Sequence, residues 1–324
     1  MWQVVLIFVL VVAWIYYRSV LRGKRKDLHG RDLLKARFKE RRVERLEGAE
    51  TWEERRRRRA IWQPEVRIAP HLLEGLKEGG GEMRKRVAAF CSHGGSNFAA
   101  IADAAERGDV PIEVVVMVHN NAKAGAKAKA RARHIPTEWV PRKRFPDEEA
   151  YGRHLLELLE RYRVDYIALA GFMQRIPPNV IRAYPNRITN IHPALLPAFG
   201  GPGFYGMKVH EAVFASGMKI SGPTVHLVDD QYDHGPILLQ WGVDISDCKE
   251  PAEIAERVLV EEHKLYPETL GLLAMECFHV EGRRATLVRD RVTMTGDDDG
   301  MTRPDGHDRT LAGVPPADDR RERS

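Results

Sequence analysis

The sequence predicts an α/β fold: a mostly parallel sheet with helices on both faces and an antiparallel addition near its C-terminal side. Three observations carry this. From residue 83 to residue 290, short apolar runs alternate with longer helical stretches, as parallel strands joined by right-handed crossovers require. The first run ends in a glycine-rich turn, "SHGGSN" (residues 92–97), just before a helical stretch. Two late runs are separated only by "DDQYDHGP" (residues 229–236), a turn-rich gap too short for a crossover.

In order, runs suited to buried strands are 87–91, 114–118, 166–170 and 188–191. Helical stretches lie between them near 97–107, 122–133 and 146–163. Residues 224–228 and 237–243 form the antiparallel pair, and a last helix covers roughly 251–275. No internal repeat is present.

The flanks differ in composition from this middle. Residues 1–17, "MWQVVLIFVLVVAWIYY", are long enough and apolar enough to anchor the chain in a membrane. Arg18, Arg22, Lys24, Arg25 and Lys26 follow at once, which places the remainder on the cytoplasmic side of the cell membrane. Residues 18–82 read as a basic, charged linker, with "TWEERRRRRAIW" its extreme, set off by "EGGGE" at 78–82. Residues 83–290 read as one folded domain, in which the chemistry is expected to lie. Residues 291–324 are polar, rich in Gly and Pro, and expected to be disordered.

The net charge of +5 is unevenly spread. Residues 1–82 hold 19 Lys and Arg against 12 Asp and Glu, and the rest hold 32 against 34. The middle domain is therefore slightly acidic, and its charge gives no support to nucleic-acid binding. Cys91, Cys248 and Cys277 are far apart and form no CxxC pair, which argues against a disulfide scaffold or a zinc ribbon.

Chemistry concentrates at strand ends. In "SHGGSN", the Gly-rich turn lets backbone N–H groups face an anion at a helix N-terminus, and Ser96 and Asn97 add side-chain donors, which suits a phosphate monoester. A tight turn with Ser or Asn capping the helix is the plainer alternative. In "ITNIHPALLPAF" (188–199), Asn190 and His192 lie on one face of an extended segment, and Pro193 and Pro197 stiffen the chain just beyond them. At the carboxyl end of a parallel strand they reach the crevice where such sheets bind ligands. An amide N–H donates to an oxyanion, and an imidazole moves a proton near neutral pH. Together they suit attack on a carbonyl through a tetrahedral intermediate. No GxSxG nucleophile elbow is present, so direct transfer is expected. One of Asp229, Asp230 and Asp233 is expected to approach His192, raise its pKa and hold its tautomer. No HxH, HExxH or other tight ligand spacing points to a metal.

With these residues in place, the domain resembles the phosphoribosylglycinamide formyltransferase family of folate-dependent purine-biosynthesis enzymes over about residues 84–289. The stretches that carry it are "CSHGGSNFAAI", "DYIALAGFMQRIPP", "ITNIHPALLPAF", "GPTVHLVDDQYDHGPILLQ" and "EEHKLYP". The resemblance implies a Rossmann-like formyltransferase fold. It implies catalytic roles for Asn190, His192 and Asp233, a 5-phosphate site at Gly95, Ser96 and Asn97, and a glycinamide-binding Glu262. It implies folate contacts at Met173, Gln174, Arg175 and Ile176, and at Val228, Asp229 and Asp230. The donor implied is 10-formyltetrahydrofolate, as a co-substrate and with no metal. The implied acceptor is phosphoribosylglycinamide, and the protein would act as a monomer or homodimer. Glu148, Gln174, His93 and His234 depart from the family's usual residues, and the stretch 199–213 resembles one seen in some bacterial relatives. Other formyl-handling enzymes of this fold, a formyltetrahydrofolate hydrolase or a sugar-nucleotide formyltransferase, are alternatives. So is a membrane-tethered binding protein without catalysis.

Overall fold

The computed structural model describes residues 60–62, 66–68 and 84–294 of the chain. The stretch 1–17 read as an anchor, most of the stretch 18–82 read as a linker, and residues 295–324 of the stretch read as a tail lie outside the described residues. Within residues 60–324, a compact unit, the 14 strands among the described residues are β1 (Ala60–Trp62), β2 (Val66–Ile68), β3 (Lys85–Cys91), β4 (Ile112–His119), β5 (Thr137–Trp139), β6 (Tyr166–Leu169), β7 (Ile188–His192), β8 (Ile220–Ser221), β9 (Thr224–Leu227), β10 (Ile237–Gln240), β11 (Gly242–Asp244), β12 (Phe278–Glu281), β13 (Arg284–Leu287) and β14 (Val292–Met294). The helices of this unit among the described residues are α1 (Ser96–Arg107), α2 (Ala126–Ala132), α3 (Glu148–Arg161), α4 (Pro178–Ala183), α5 (Met207–Ala215) and α6 (Pro251–Ala274).

The apolar runs form strands because they are covered on both sides. Along β3, Val87, Ala89 and Cys91 face one core layer, with Phe98 and Ile101 of α1 and Leu265 of α6. Ala88 and Phe90 face the other, with Tyr151, Leu155, Leu158 and Leu159 of α3. Side chains alternate across the strand, so continuous apolarity is what two covered faces demand. The pairing of β3 with β4 shifts register between Val87 and Ala88, which pair with Val114 and Val116 and leave Val115 as the extra residue of a bulge.

The main sheet has nine strands in the order β12-β13-β10-β9-β7-β6-β3-β4-β5. The segment from β5 to β7 is parallel, and β9 joins β7 antiparallel. This is the expected Rossmann-like arrangement, a mostly parallel sheet with its antiparallel strands on the C-terminal side. Two small sheets, β1-β11-β8 and β2-β14, complete it. Strands β1 and β2 thus fall inside the stretch read as linker, and β14 inside the stretch read as tail.

Several expectations are corrected. The run 237–243 is two strands in two sheets, broken at Trp241. The Trp241 carbonyl sits where a Cβ on Gly222 would be, 1.8 Å away, so chain crosses chain at a glycine there. Helix α2 starts later than 122, because Asn121 turns residues 121–124 back on themselves, its side chain accepting from the Lys123 N–H at 2.9 Å. The short elements β5, α4, α5, β8, β12 and β13 had no expectation at all.

Candidate active site

Strand β7 delivers Asn190 and His192 to the seam between the parallel and antiparallel parts of the sheet. The register places Asn190 opposite His226 of β9, and His192 opposite Thr224. Asp233 comes from the turn between β9 and β10, at φ +52°, and folds back over both pairs.

Four side chains meet there. Asp233 Oδ2 lies 3.5 Å from His192 Nδ1 and accepts from the Gly201 N–H at 2.9 Å. Its Oδ1 lies 3.6 Å from His226 Nε2 and accepts from Asn190 Nδ2 at 3.4 Å. Asn190 Nδ2 is 3.1 Å from His226 Nε2. Each imidazole is pinned by a carbonyl: His192 Nε2 donates to Phe199 at 2.8 Å, and His226 Nδ1 donates to Leu227 at 2.7 Å. Gly200 lets the loop come this close, since a Cβ there would press on Leu196 at 2.4 Å and on the Asp233 Cβ at 3.2 Å.

Burial, with His192 only 3% exposed, holds its pKa below the ordinary value, against the opposing pull of Asp233 and the Phe199 carbonyl. The expected rise in its pKa is therefore corrected to a fall. Asp233 is also held below its usual value. Burial pushes it up, but the nearby imidazoles of His226 and His192 and the Gly201 N–H together outweigh that. His210 of α5 is buried beside this cluster with no partner on Nδ1. Burial first, and then His192, push it down to about 4.

The second part of the site is the turn before α1. Gly95 caps the helix at φ +64°, a conformation glycine adopts without strain. Its α-carbon face is closed by α2: a Cβ would meet the Ala126 Cβ at 2.6 Å. Asn97 Nδ2 donates to Glu262 Oε2 at 2.6 Å, while Asn97 Oδ1 is buried without a partner. Burial pushes Glu262 up to about 6, with the Asn97 bond pulling the other way. Residues 93–97 line a cleft of about 570 Å³ together with Gly171, Met173 and the 205–208 stretch. Lys208 lines it too, its ammonium donating to the Tyr205 hydroxyl at 3.1 Å.

The other residues singled out by the sequence lie on two neighbouring loops. Met173 is 48% exposed, and its N–H donates to Ser92 Oγ at 2.7 Å. Gln174 accepts from the Tyr151 hydroxyl at 3.5 Å. Arg175 donates to the carbonyl of Asp230 and so ties the two loops together. Asp229 pairs with His234 Nδ1 at 2.7 Å, and the Val228 N–H donates to Ile188. The Ile176 side chain is in the core at 2% exposure and offers a ligand only backbone. Among the described residues no three His, Cys, Asp or Glu are grouped to hold a metal ion. Sequence reasoning missed His226 and Lys208. His226 had only its antiparallel register to give it away, and Lys208 only its place after a glycine-rich loop.

The family model for formyl transferase matches residues 85–270, more than half the chain. The chain belongs to the formyl transferase family. This formyl transferase is 46% identical over 194 residues to the chloroplastic phosphoribosylglycinamide formyltransferase of Arabidopsis thaliana, covering 60% of this chain and 66% of that protein's length. It is 35% identical over 189 residues to phosphoribosylglycinamide formyltransferase of Bacillus subtilis, covering 58% of this chain and 94% of that one. Among solved structures, glycinamide ribonucleotide transformylase 1 of Symbiobacterium toebii is similar with a TM-score of 0.60 and 34% identity, over 64% of this chain and 95% of that one.

Proposed function

We propose that the chain is a phosphoribosylglycinamide formyltransferase. It moves the formyl group of 10-formyltetrahydrofolate to the amine of 5-phosphoribosylglycinamide in de novo purine biosynthesis. The observation that carries this reading is the meeting of Asn190, His192 and Asp233 at the end of β7, in a chain of this family. The turn at Gly95, Ser96 and Asn97 takes the phosphate, and Glu262 takes the glycinamide end. The donor lies along the cleft by Met173, Gln174, Arg175 and the backbone of Ile176, under the loop of Val228, Asp229 and Asp230.

The chemistry is a direct displacement. The amine nitrogen bonds to the formyl carbon, and the formyl oxygen becomes an oxyanion that Asn190 stabilises through its amide N–H. His192 enters neutral, since burial lowers its pKa. It takes up the amine's proton at Nδ1, where Asp233 stands 3.5 Å away to pair with the imidazolium. The bond from formyl carbon to folate nitrogen then breaks, and the proton passes to that nitrogen. Holding both substrates in one crevice supplies a large part of the rate.

The test is an assay of the purified chain with 10-formyltetrahydrofolate and the ribonucleotide. Release of tetrahydrofolate should require the ribonucleotide. Equal release without it identifies a hydrolase, and no release identifies a binding protein. On the sequence of residues 1–17 we also propose attachment to the inner face of the cell membrane. Among the described residues no helix is long and apolar enough to cross a membrane. Recovery of the intact chain wholly in the soluble fraction would refute the attachment.

A further inference from the structure

The geometry points to His226 as the positioning residue that decides which end of the Asn190 amide faces the crevice. This rests on the reading of Asn190 as the oxyanion donor. The donors and acceptors around the cluster can be counted. A carbonyl oxygen only accepts, so the bond to Leu227 makes His226 Nδ1 the N–H end of the ring. In a neutral imidazole Nε2 is then a bare acceptor. It stands 3.1 Å from Asn190 Nδ2, which also donates to Asp233 at 3.4 Å. Both amide hydrogens of Asn190 are then used inside the protein, and none is left for an oxyanion.

A half turn of the amide exchanges its oxygen and nitrogen without changing its shape. It brings the NH2 group to the crevice, but it also brings the amide oxygen toward the Asp233 carboxylate. That is tolerable only if His226 Nε2 carries a proton. It then donates to the amide oxygen, and its charge offsets the carboxylate. The charged and titratable groups facing His226 are Asp233 from the turn and His192 from β7, whose own proton affinity is lowered by a charged His226. From β10 the residue opposite is Ile237, which contributes no charge. The site thus holds a donor with two orientations, and His226 selects between them. It touches no reacting atom and acts through Asn190.

The experiment is a double-mutant cycle on the full chain, with kcat and both KM values read for His226→Ala, Asn190→Ala and the pair, and for His226→Gln. Each single Ala variant is expected to lose about 10²-fold in kcat, the scale of one oxyanion donor, with both KM values within about twofold. The double variant is expected to be no slower than Asn190→Ala, because residues acting as one unit are not additive. His226→Gln keeps an amide N–H near the place of Nε2 and is expected to recover most of the loss. It is also the variant least disturbing to the fold, so it separates positioning from stability. Losses that multiply in the double variant, or a Gln variant as slow as Ala, would overturn the inference while leaving the donor role of Asn190 standing. An Asn190→Ala variant with unchanged kcat would overturn both, through the donor role itself.

Discussion

The two ends of the site are built differently. At the proposed transfer end, Asn190, His192, His226 and Asp233 each hold at least two polar partners, and the loop at Phe199–Gly201 closes over them. At the proposed phosphate end the surface is a backbone turn, one buried carboxylate held by a single Asn97 bond, and an Asn97 oxygen with no partner. The polar groups of the first end are already paired with one another, and only the Asn190 amide has to turn. The second has unfilled polar capacity, which is costly when buried and is relieved by a polar ligand. Substitutions at the first end should therefore change rate, and at the second, affinity and stability.

The largest effect tests the first half of that comparison. Asp233→Asn keeps the shape of the side chain but removes the charge that waits for the His192 proton. We expect kcat to fall about 10²–10³-fold, as for loss of one preorganised electrostatic group, with the ribonucleotide Kd within about twofold by calorimetric titration. Parallel loss of binding would erase the distinction between the two ends. Gly95→Ala tests the other half. Its Cβ would meet Ala126 at 2.6 Å at a φ of +64°, so stability should fall by about 1–3 kcal/mol in denaturant unfolding. The KM for the ribonucleotide should rise roughly tenfold or more, because charge-assisted bonds from the turn would be misplaced. A stable variant with normal KM would remove Gly95 from the site.

How far the sequence revealed these two ends depends on how local each feature is. Gly95, Asn97, Asn190 and His192 are short-range patterns at strand ends, and the strands before them are apolar runs because both their faces are covered. Asp233 was visible as a turn carboxylate. His226 was not, since its meaning depends on lying opposite Asn190, a fact of antiparallel register. The direction of the His192 shift was misjudged for a related reason. A carboxylate partner can be guessed from sequence, but the burial that outweighs it is a property of the folded site. Helix α5 was hidden because its residues come after four glycines, and the 237–243 run because a single crossing at Gly222 divides it.

Glu262 sharpens the comparison through pH. Its folded pKa is raised by burial from 4.5 to about 6. A raised carboxyl contributes stability that is complete below about pH 4.5 and is lost as pH rises through 6. At pH 7 the deficit is about 2 kcal/mol at 1.36 kcal/mol per unit. Glu262→Gln should therefore be more stable than the parent at pH 7 by up to about 2 kcal/mol, with the gap closing below pH 4.5. Its ribonucleotide KM should rise nonetheless. A variant less stable at pH 7 would mean that the carboxylate is better paired than its single bond to Asn97 suggests.

The smallest effect belongs to the loops between the two ends. Arg175 is exposed, and its described bond runs to the carbonyl of Asp230, so its loss should leave the unfolding midpoint nearly unchanged. What it does is hold the loop carrying Met173 and Gln174 against the loop carrying Asp229 and Asp230. The donor is proposed to lie between these loops, so loosening them should raise the donor KM alone, roughly threefold, the scale of one exposed hydrogen bond. The ribonucleotide KM and kcat should stay put, because neither Asp233 nor the Gly95 turn depends on Arg175 for a hydrogen bond. A matched rise in both KM values would mean that this loop pair serves the whole crevice, and the transfer end would then be less independent of its surroundings than its internal bonds imply.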